Sequence, residues 1–222
     1  MANEARKSKL LNKFDIRVIN CTIDTQLWKP ISKKNAKKIL GLDVNKKLLL
    51  FGATGGISDP RKGFNYLVKA LETKKLKNEK FELMIFGEPE NLNLNIKNRK
   101  IIFKPGSFYG NDISLRLMYS AADLIVAPSI MEAFGQVGSE AGSCETPTVA
   151  FKNTGFEDVI IHKRTGYLAN HKNFNDLAKG ISWTLKNSKK LHLGKNARKH
   201  VVKNFSYKVI SNKYIKLYKE LI

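Results

Sequence analysis

The stretch ADLIVAPSIMEAFGQVGSEAG, residues 122–142, contains a strand, a loop and the start of a helix. Its first part, ADLIVAP, is almost continuously apolar, which is typical of a strand buried on both faces of a parallel sheet. A loop is predicted at 129–135, after Pro128 and ending in Gly135, and a helix is predicted to begin near Gln136. Because sheets of this kind bind ligands in the loops that follow their strands, we expect a site in this loop.

The same alternation of strand and helix extends over most of the chain. Apolar runs predict five strands, at 46–52, 80–87, 100–106, 122–129 and 146–151. Segments with helical patterns lie between and after them, at 62–77, 111–122, 135–145, 174–187 and 207–222. Repeated strand–helix–strand units predict an α/β fold, a Rossmann-like doubly wound parallel sheet with one crevice at the carboxyl ends of its strands.

Residues 1–20 do not fit this alternation. A basic segment at 3–13 predicts one helix, and the run FDIRVIN that follows predicts extended chain. We interpret 1–20 as the end of a preceding domain and a hinge, 21–205 as the Rossmann-like domain, and 206–222 as a closing helix.

The chain is strongly basic. Its 40 lysines and arginines exceed its 19 acidic residues and give a net charge of +21. Such a charge points to an anionic partner, which would be a nucleic acid, a phosphoester substrate or an acidic membrane face. The bases are mostly scattered lysines, however, and this pattern favours solvated helix faces over a dedicated patch.

The remaining composition excludes several classes of protein. The longest apolar runs are too short to cross a bilayer, and the first residues lack the apolar centre of a signal peptide, so we expect a soluble, cytoplasmic protein. The cysteines and histidines have no metal-ligand spacing, and two cysteines make no disulfide framework, which predicts free, buried thiols at Cys21 and Cys144.

Two glutamates lie around the loop of the opening stretch. Glu140 falls in the second turn of the predicted helix. The helix dipole stabilises a carboxylate near the start of a helix, so the position of Glu140 can be explained without a ligand. Glu132 lies in the loop itself. An ionised carboxylate at such a place usually accepts hydrogen bonds from amides or hydroxyls, and several hydroxyl donors would indicate a sugar or a ribose. The first amides of the helix, at Gln136, Val137 and Gly138, are expected to be free and to form an anion site.

A second loop, FGATGGISDPRKGFNYL at 51–67, follows the first strand. It is rich in glycine but lacks the spacing of a dinucleotide fingerprint or a P-loop. Arg61 and Lys62 stand where the next helix begins, so they could hold a diphosphate together with helix amides. A turn with two solvated bases explains the loop equally well.

Several motifs resemble one family, in the same order as in that family. Glu132, Phe134–Gly135 and Glu140 resemble the Glu, seven residues, Glu motif of the nucleotide-sugar half of retaining GT-B glycosyltransferases, family 4 group 1. The segment DPRKGFNYLVKAL at 59–71 is similar to the family's diphosphate loop. The segments NCTIDTQLWKP at 20–30 and FSYKVISNKYIKLYKELI at 205–222 resemble its hinge and its closing helix.

The resemblance implies a role for each matching residue. Glu132 would bind hydroxyls of the donor sugar and Glu140 those of the ribose, while Lys62, with Arg61, would hold the diphosphate. Glu132 and Lys62 would be the catalytic pair. The amides of Gly135, Gln136 and Val137 would hold the distal phosphate and sugar, and residues 106–108 would frame the base. No metal ion or other cofactor is implied, and the donor would be linked to UDP or GDP.

Two departures from the family pattern stand out. The family has Gly-Arg at the end of the first strand, where this chain has Gly52–Ala53, and Asn-Gly in the hinge, where this chain has Asn20–Cys21. Either Arg61 or glycine amides would then substitute for the missing arginine, or the departure is a feature of a subgroup of the family.

The resemblance also implies a missing half. Such hexosyltransferases bind their acceptor, a glycan or a lipid-linked glycan of surface polysaccharide synthesis, with an N-terminal domain. We therefore expect the chain alone to bind a nucleotide sugar weakly and not to transfer it. It could lie against the anionic inner face of a membrane, and we expect no nucleic acid partner.

Two alternatives remain open from the sequence. The first is a GT-B-like sugar-nucleotide epimerase, against which the Glu-seven-Glu context argues. The second is a basic nucleic-acid-binding module, although no aromatic residues are interleaved with the bases.

Overall fold

The computed structural model describes residues 2–52, 57–88, 96, 100–105 and 111–221. Its strands are β1 (Leu48–Gly52), β2 (Glu82–Glu88), β3 (Ile101–Pro105), β4 (Leu124–Ala127), β5 (Thr148–Phe151) and β6 (Gly166–Ala169). Its α-helices are α1 (Ala2–Lys7), α2 (Lys33–Ile39), α3 (Phe64–Leu71), α4 (Lys74–Lys77), α5 (Asp112–Ala121), α6 (Gln136–Ser143), α7 (Phe156–Val159), α8 (Phe174–Asn187), α9 (Leu193–Phe205) and α10 (Tyr207–Leu221), and a short 3-10 helix covers Pro60–Lys62.

The strands form one parallel sheet in the order β3-β2-β1-β4-β5-β6. The chain first moves outward from β1 to β3 and then crosses back to place β4 on the other side of β1, where Leu49 pairs with Leu124. This reversal between β1 and β4 confirms the predicted doubly wound, Rossmann-like sheet.

Both faces of the sheet are buried, as the continuous apolar runs predicted. All five residues of β1 are buried, and its side chains alternate between two apolar clusters. Leu48 and Leu50 join the cluster that includes residues of α2, α5, α6 and α9, while Leu49 and Phe51 join the one that includes residues of α3, α4 and α8. One helical layer therefore covers each face.

Several elements differ from the sequence predictions. The sixth strand, β6, was not predicted, because it has only four residues and begins with glycine. The helices α2, α7 and α9 were not predicted either, and the predicted helical segment 62–77 is divided into α3 and α4. In α9, Leu193, Ala197, Val201 and Phe205 repeat every four residues and are buried, but lysine and asparagine dominate the rest of the helix. The predicted helix 174–187 is confirmed with the same bounds.

The prediction of a helix over residues 3–13 is wrong. The helix α1 ends at Lys7 and buries none of its residues, so it has no packed face to extend it. Leu10, Leu11 and Phe14 are exposed in the turns that follow, and residues 15–20 form no strand.

The segment before α2 is attached to the sheet domain. The amide of Ile23 donates to the carbonyl oxygen of Phe205 at 2.8 Å, and the guanidinium of Arg198 donates to the carbonyl oxygen of Trp28 at 3.1 Å. At the other end, α10 buries only Ile210 of its residues. Within the described residues, every helix is too short or too polar to span a lipid bilayer.

Candidate functional site

The candidate site lies at the carboxyl ends of β1 and β4, the neighbouring strands where the chain reverses direction. A small cavity there is lined by residues from both strand ends, their loops and two helices: Phe51, Gly52, Lys62, Ala127, Ser129, Glu132, Val137 and Phe156. Three of the residues predicted from the sequence, Lys62, Glu132 and Val137, are among them.

Lys62 and Glu132 form an ion pair across this cavity. The Nζ atom of Lys62 lies 3.2 Å from Oε2 of Glu132, and the two side chains are 26% and 20% exposed. Glu132 is 70 residues further along the chain, so the tertiary fold brings the pair together. The other carboxylate oxygen, Oε1, accepts the amide of Ala133 at 3.2 Å.

Backbone contacts hold the two loops against each other. The amide of Ile130 donates to the carbonyl oxygen of Arg61 at 2.8 Å. Gly63 has φ +70°, and a Cβ atom there would lie 2.0 Å from the carbonyl oxygen of Pro128, so only glycine fits. On the other side, His171 Nε2 lies 3.0 Å from the carbonyl oxygen of Ile130. These contacts fix the separation of Lys62 and Glu132.

Arg61 does not enter the cavity in this structure. Its side chain is 68% exposed, and its guanidinium binds the carboxylate of Asp59 with Nη2–Oδ2 at 2.9 Å and Nε–Oδ1 at 3.1 Å. These hydrogen bonds hold the pKa of Asp59 below its usual range. The structure therefore places Lys62 in the site and Arg61 at its rim.

The amino terminus of α6 lies beside the ion pair. Gly135 precedes the helix with φ +94°, and Cβ atoms at Gly135 and Gly138 would lie 2.6 and 2.9 Å from the ring of Phe156. Among the described residues, no group accepts the amides of Gln136 and Val137. The prediction of a free amide at Gly138 is wrong, because this amide donates to the carbonyl oxygen of Gly135 at 2.9 Å.

Glu140 faces α5 from the second turn of α6. Its Oε2 accepts the hydroxyl of Tyr119 at 3.0 Å, and its Oε1 accepts the side-chain amide of Gln136 at 3.1 Å. Burial raises the pKa of Glu140 to about 7, despite both hydrogen bonds, which favour the carboxylate. Burial and the charge of Glu140 raise the pKa of Tyr119 well above its usual value, so this phenol remains a donor.

Sequence reasoning did not identify Tyr119, Phe156 and His171. Each acts on the predicted site through a contact between distant parts of the chain, and a single sequence carries no signal of such a contact. The glycine loop at 53–56 and the predicted base-binding residues 106–108 lie outside the described residues. Over the described ranges, no group of three or more His, Cys, Asp or Glu side chains could hold a metal ion.

Comparisons with curated proteins identify the kind of domain to which this site belongs. Residues 32–200 match the family described as Glycosyl transferases group 1. An uncharacterised glycosyltransferase of Methanocaldococcus jannaschii is 29% identical over 195 residues, which cover 84% of this chain and 48% of that protein. The D-inositol 3-phosphate glycosyltransferase 2 of Catenulispora acidiphila is 27% identical over 202 residues, which cover 85% of this chain and 47% of that protein. The chain spans about half the length of these curated relatives.

Solved structures share the fold. Sucrose-phosphate synthase from Thermosynechococcus elongatus has a TM-score of 0.82 and 26% identity over 99% of this chain and 56% of its own. HepE of Anabaena, solved in complex with UDP-glucose, has a TM-score of 0.73 and 20% identity over 92% of this chain and 57% of its own, a likeness of fold alone. The sheet is thus the Rossmann-like sheet of GT-B enzymes, and because the family match covers most of its residues, the chain belongs to the glycosyl transferases group 1.

Proposed function

We propose that this domain is the C-terminal, nucleotide-sugar-binding half of a retaining hexosyltransferase of family 4. Membership of the glycosyl transferases group 1 supports transferase activity in this proposal. The structures of HepE with UDP-glucose and with UDP support a nucleotide sugar as the ligand of this fold.

The arrangement of charges in the site carries the proposal. The cavity is lined by Lys62 and Glu132, and α6 begins beside it with two free amides. Glu140 lies in the second turn of the same helix, so cationic and dipolar groups lie near two carboxylates. A nucleotide sugar has the complementary chemistry, because its anionic diphosphate lies between two hydroxyl-rich groups. Lys62 and the amides of Gly135, Gln136 and Val137 would bind the phosphates.

The two carboxylates would then divide the hydroxyl groups. Glu132, beside Lys62, would accept hydrogen bonds from the donor sugar. Glu140, in the second turn of α6, would accept them from the ribose. Arg61 would add positive charge from the rim, and it reaches the phosphates only by leaving Asp59.

The reaction would be departure of the nucleoside diphosphate with retention at the anomeric carbon. Negative charge develops on the leaving phosphate as the glycosidic bond breaks, and Lys62 with the helix amides would stabilise it. A ligand phosphate would also compete with Glu132 for Lys62 and so release this carboxylate to the sugar. Protein cations do this work in the proposed reaction, which requires no metal ion or other cofactor.

The acceptor would be bound outside this domain. We propose a glycan or lipid-linked acceptor in the synthesis of a surface polysaccharide, bound by an N-terminal domain. The net charge of +21 would favour contact with an anionic membrane surface.

Calorimetry with UDP, GDP and a single-stranded oligonucleotide tests the proposal. We expect one of the two nucleotides to bind at a single site, and we expect Glu140→Ala to weaken that binding by about 1–3 kcal/mol, the range for hydrogen bonds to a charged group. Salt-dependent binding of the oligonucleotide without binding of either nucleotide would contradict it.

A further inference from the structure

We infer that Tyr119 is a positioning residue for Glu140: its hydroxyl holds one carboxylate oxygen inside the domain and thereby directs the other towards the ligand. This inference rests on the proposed ribose contact of Glu140. It adds a residue of α5 to a site that the sequence motif places on α6 and the loops around it.

Tyr119 is held rigidly enough to act as an anchor. The residue is 1% exposed, and its ring lies 5.7 Å from the ring of Trp28 and 6.1 Å from that of Phe86, measured between centroids. Its carbonyl oxygen accepts the hydroxyl of Thr146 at 2.6 Å. The phenol oxygen therefore has one fixed position, and Oε2 of Glu140 lies 3.0 Å from it.

The other oxygen of Glu140 has a replaceable partner. Oε1 accepts the side-chain amide of Gln136, an exposed residue at the first position of α6. A ribose hydroxyl can take the place of this amide at little cost, because the displaced Gln136 side chain finds water. One carboxylate oxygen is thus committed to the protein, and the other is available.

The surroundings of Glu140 define how the carboxylate titrates. Burial raises the pKa of Glu140, and the negative charge of Asp112 on α5 raises it as well. The thiol of Cys144, one turn further along α6, has a pKa raised by burial to about 12 and stays neutral, while the charges of Arg116 and Arg198 act on that thiol. The hydrogen bond from Tyr119 lowers the pKa of Glu140, so its loss would raise that pKa further.

Tyr119→Phe with a matched control tests the inference. Tyr167 makes the same kind of bond away from the site, since its hydroxyl donates to Asp176 at 3.0 Å, so Tyr167→Phe is the control. Affinities are measured by calorimetry for UDP and GDP and for their dideoxyribose counterparts, which lack the ribose hydroxyls. We expect Tyr119→Phe to weaken binding of the ribonucleotide about five- to tenfold and to leave binding of the dideoxy compound almost unchanged.

The pH dependence provides a second measurement. Glu140 binds hydroxyl donors as a carboxylate, so ribonucleotide affinity should rise with pH as Glu140 loses its proton. The pH at the midpoint of this rise should be higher in Tyr119→Phe, which loses the bond that lowers the pKa of Glu140, and unchanged in Tyr167→Phe. Equal weakening of both kinds of nucleotide by Tyr119→Phe, no weakening at all, or an unmoved midpoint would overturn the inference.

Two further variants separate the possible failures. If Glu140→Ala leaves ribonucleotide affinity unchanged, the proposed ribose contact fails and this inference fails with it. If Glu140→Ala weakens binding but Tyr119→Phe does not, only the inference fails. Should Tyr119→Phe not fold, it is combined with Glu140→Gln, which removes the buried charge. In that background we expect Tyr119→Phe to have no further effect, and an added loss would overturn the inference.

Discussion

Lys62 and Glu132 form an ion pair, and the proposed reaction gives them different parts of the ligand. Lys62 would bind the diphosphate and Glu132 the sugar. In the ligand-free domain each neutralises the other within a partly buried cavity. In the proposed reaction a bound diphosphate would change this balance, because it would offer Lys62 a second anion and leave Glu132 free to accept hydroxyls. Recognition of the phosphates and of the sugar would therefore be coupled through one contact.

Lys62→Ala tests this coupling. We expect the affinity for the nucleoside diphosphate to fall about 10- to 100-fold, as for loss of a hydrogen bond to a charged group. Lys179→Ala, at an exposed position of α8, removes the same charge elsewhere and is the control. Calorimetry measures both variants, and an equal loss in the two would mean that overall charge, not this lysine, binds the phosphates.

The buried carboxyl of Glu140 predicts a dependence of stability on pH. Its pKa is raised from 4.5 to about 7, so between these values the native state binds more protons than the unfolded state. The free energy of unfolding therefore falls as the pH rises through this window, by roughly 3 kcal/mol in total. Glu140→Gln does not titrate and should escape this fall, which urea unfolding at pH 5 and pH 7.5 measures. Parallel losses in the two proteins would show that Glu140 is not the group responsible.

At the scale of elements, the start of α6 is tightly constrained. Gly135 has a left-handed backbone, and the ring of Phe156 packs where a side chain would be. The position of α6, and so of its two free amides, depends on this contact between the helix and α7.

Gly135→Ala should disturb both stability and binding. We expect a loss of about 2–4 kcal/mol, from backbone strain together with the clash against Phe156, and weaker nucleotide binding because the amides move. Gly41→Ala is the matched control, since Gly41 has φ +70° but nothing within 4 Å of the added Cβ atom, and strain alone costs about 1–2 kcal/mol. Chemical unfolding and calorimetry compare the two variants, and equal effects on both measurements would refute the role of Phe156.

The sequence predicted those elements whose pattern is local. The helix α8 was predicted with the correct bounds because its buried residues follow the helical period, and β1 and β4 were predicted because every residue in them is buried. The strand β6 is buried as well, but it was missed because only three apolar residues follow its glycine before the chain becomes polar at Asn170. The helix α9 was missed because charged residues hid its buried face.

The site divides in the same way. The motif around Glu132 and Glu140 and the loop with Lys62 are local patterns, so their residues could be named from the sequence. The partners of these residues could not, because Tyr119 lies 21 residues from Glu140 and Lys62 lies 70 residues from Glu132. The crossing of the chain between β1 and β4 brings Lys62 to Glu132, and the packing of α5 beside α6 brings Tyr119 to Glu140.

At the scale of the whole molecule, the positive charge is spread widely and the proposed site uses little of it. Lys62 is the cation of the cavity, while most other lysines lie on solvated helix faces. We therefore propose that the charge of +21 acts as a general field that concentrates anions, while the site would provide the selectivity.

Salt separates these two contributions. We expect nucleoside diphosphate affinity to fall with a slope on the order of −1 in a plot of log affinity against log salt, because few charges are neutralised. Any residual binding of a single-stranded oligonucleotide should fall several times more steeply. Titrations at four salt concentrations give both slopes, and a shallow slope for the oligonucleotide would contradict its binding through the general positive field.

The packing of Trp28 gives the domain a built-in optical signal. The chain has two tryptophans, and Trp28 packs beside Tyr119 on one side of the sheet, while Trp183 packs with the cluster on the other side. A Trp183→Phe protein would emit from a single indole that is one ring away from the phenol bound to Glu140. Occupancy of the ribose position could then be followed by fluorescence in real time, without a labelled nucleotide.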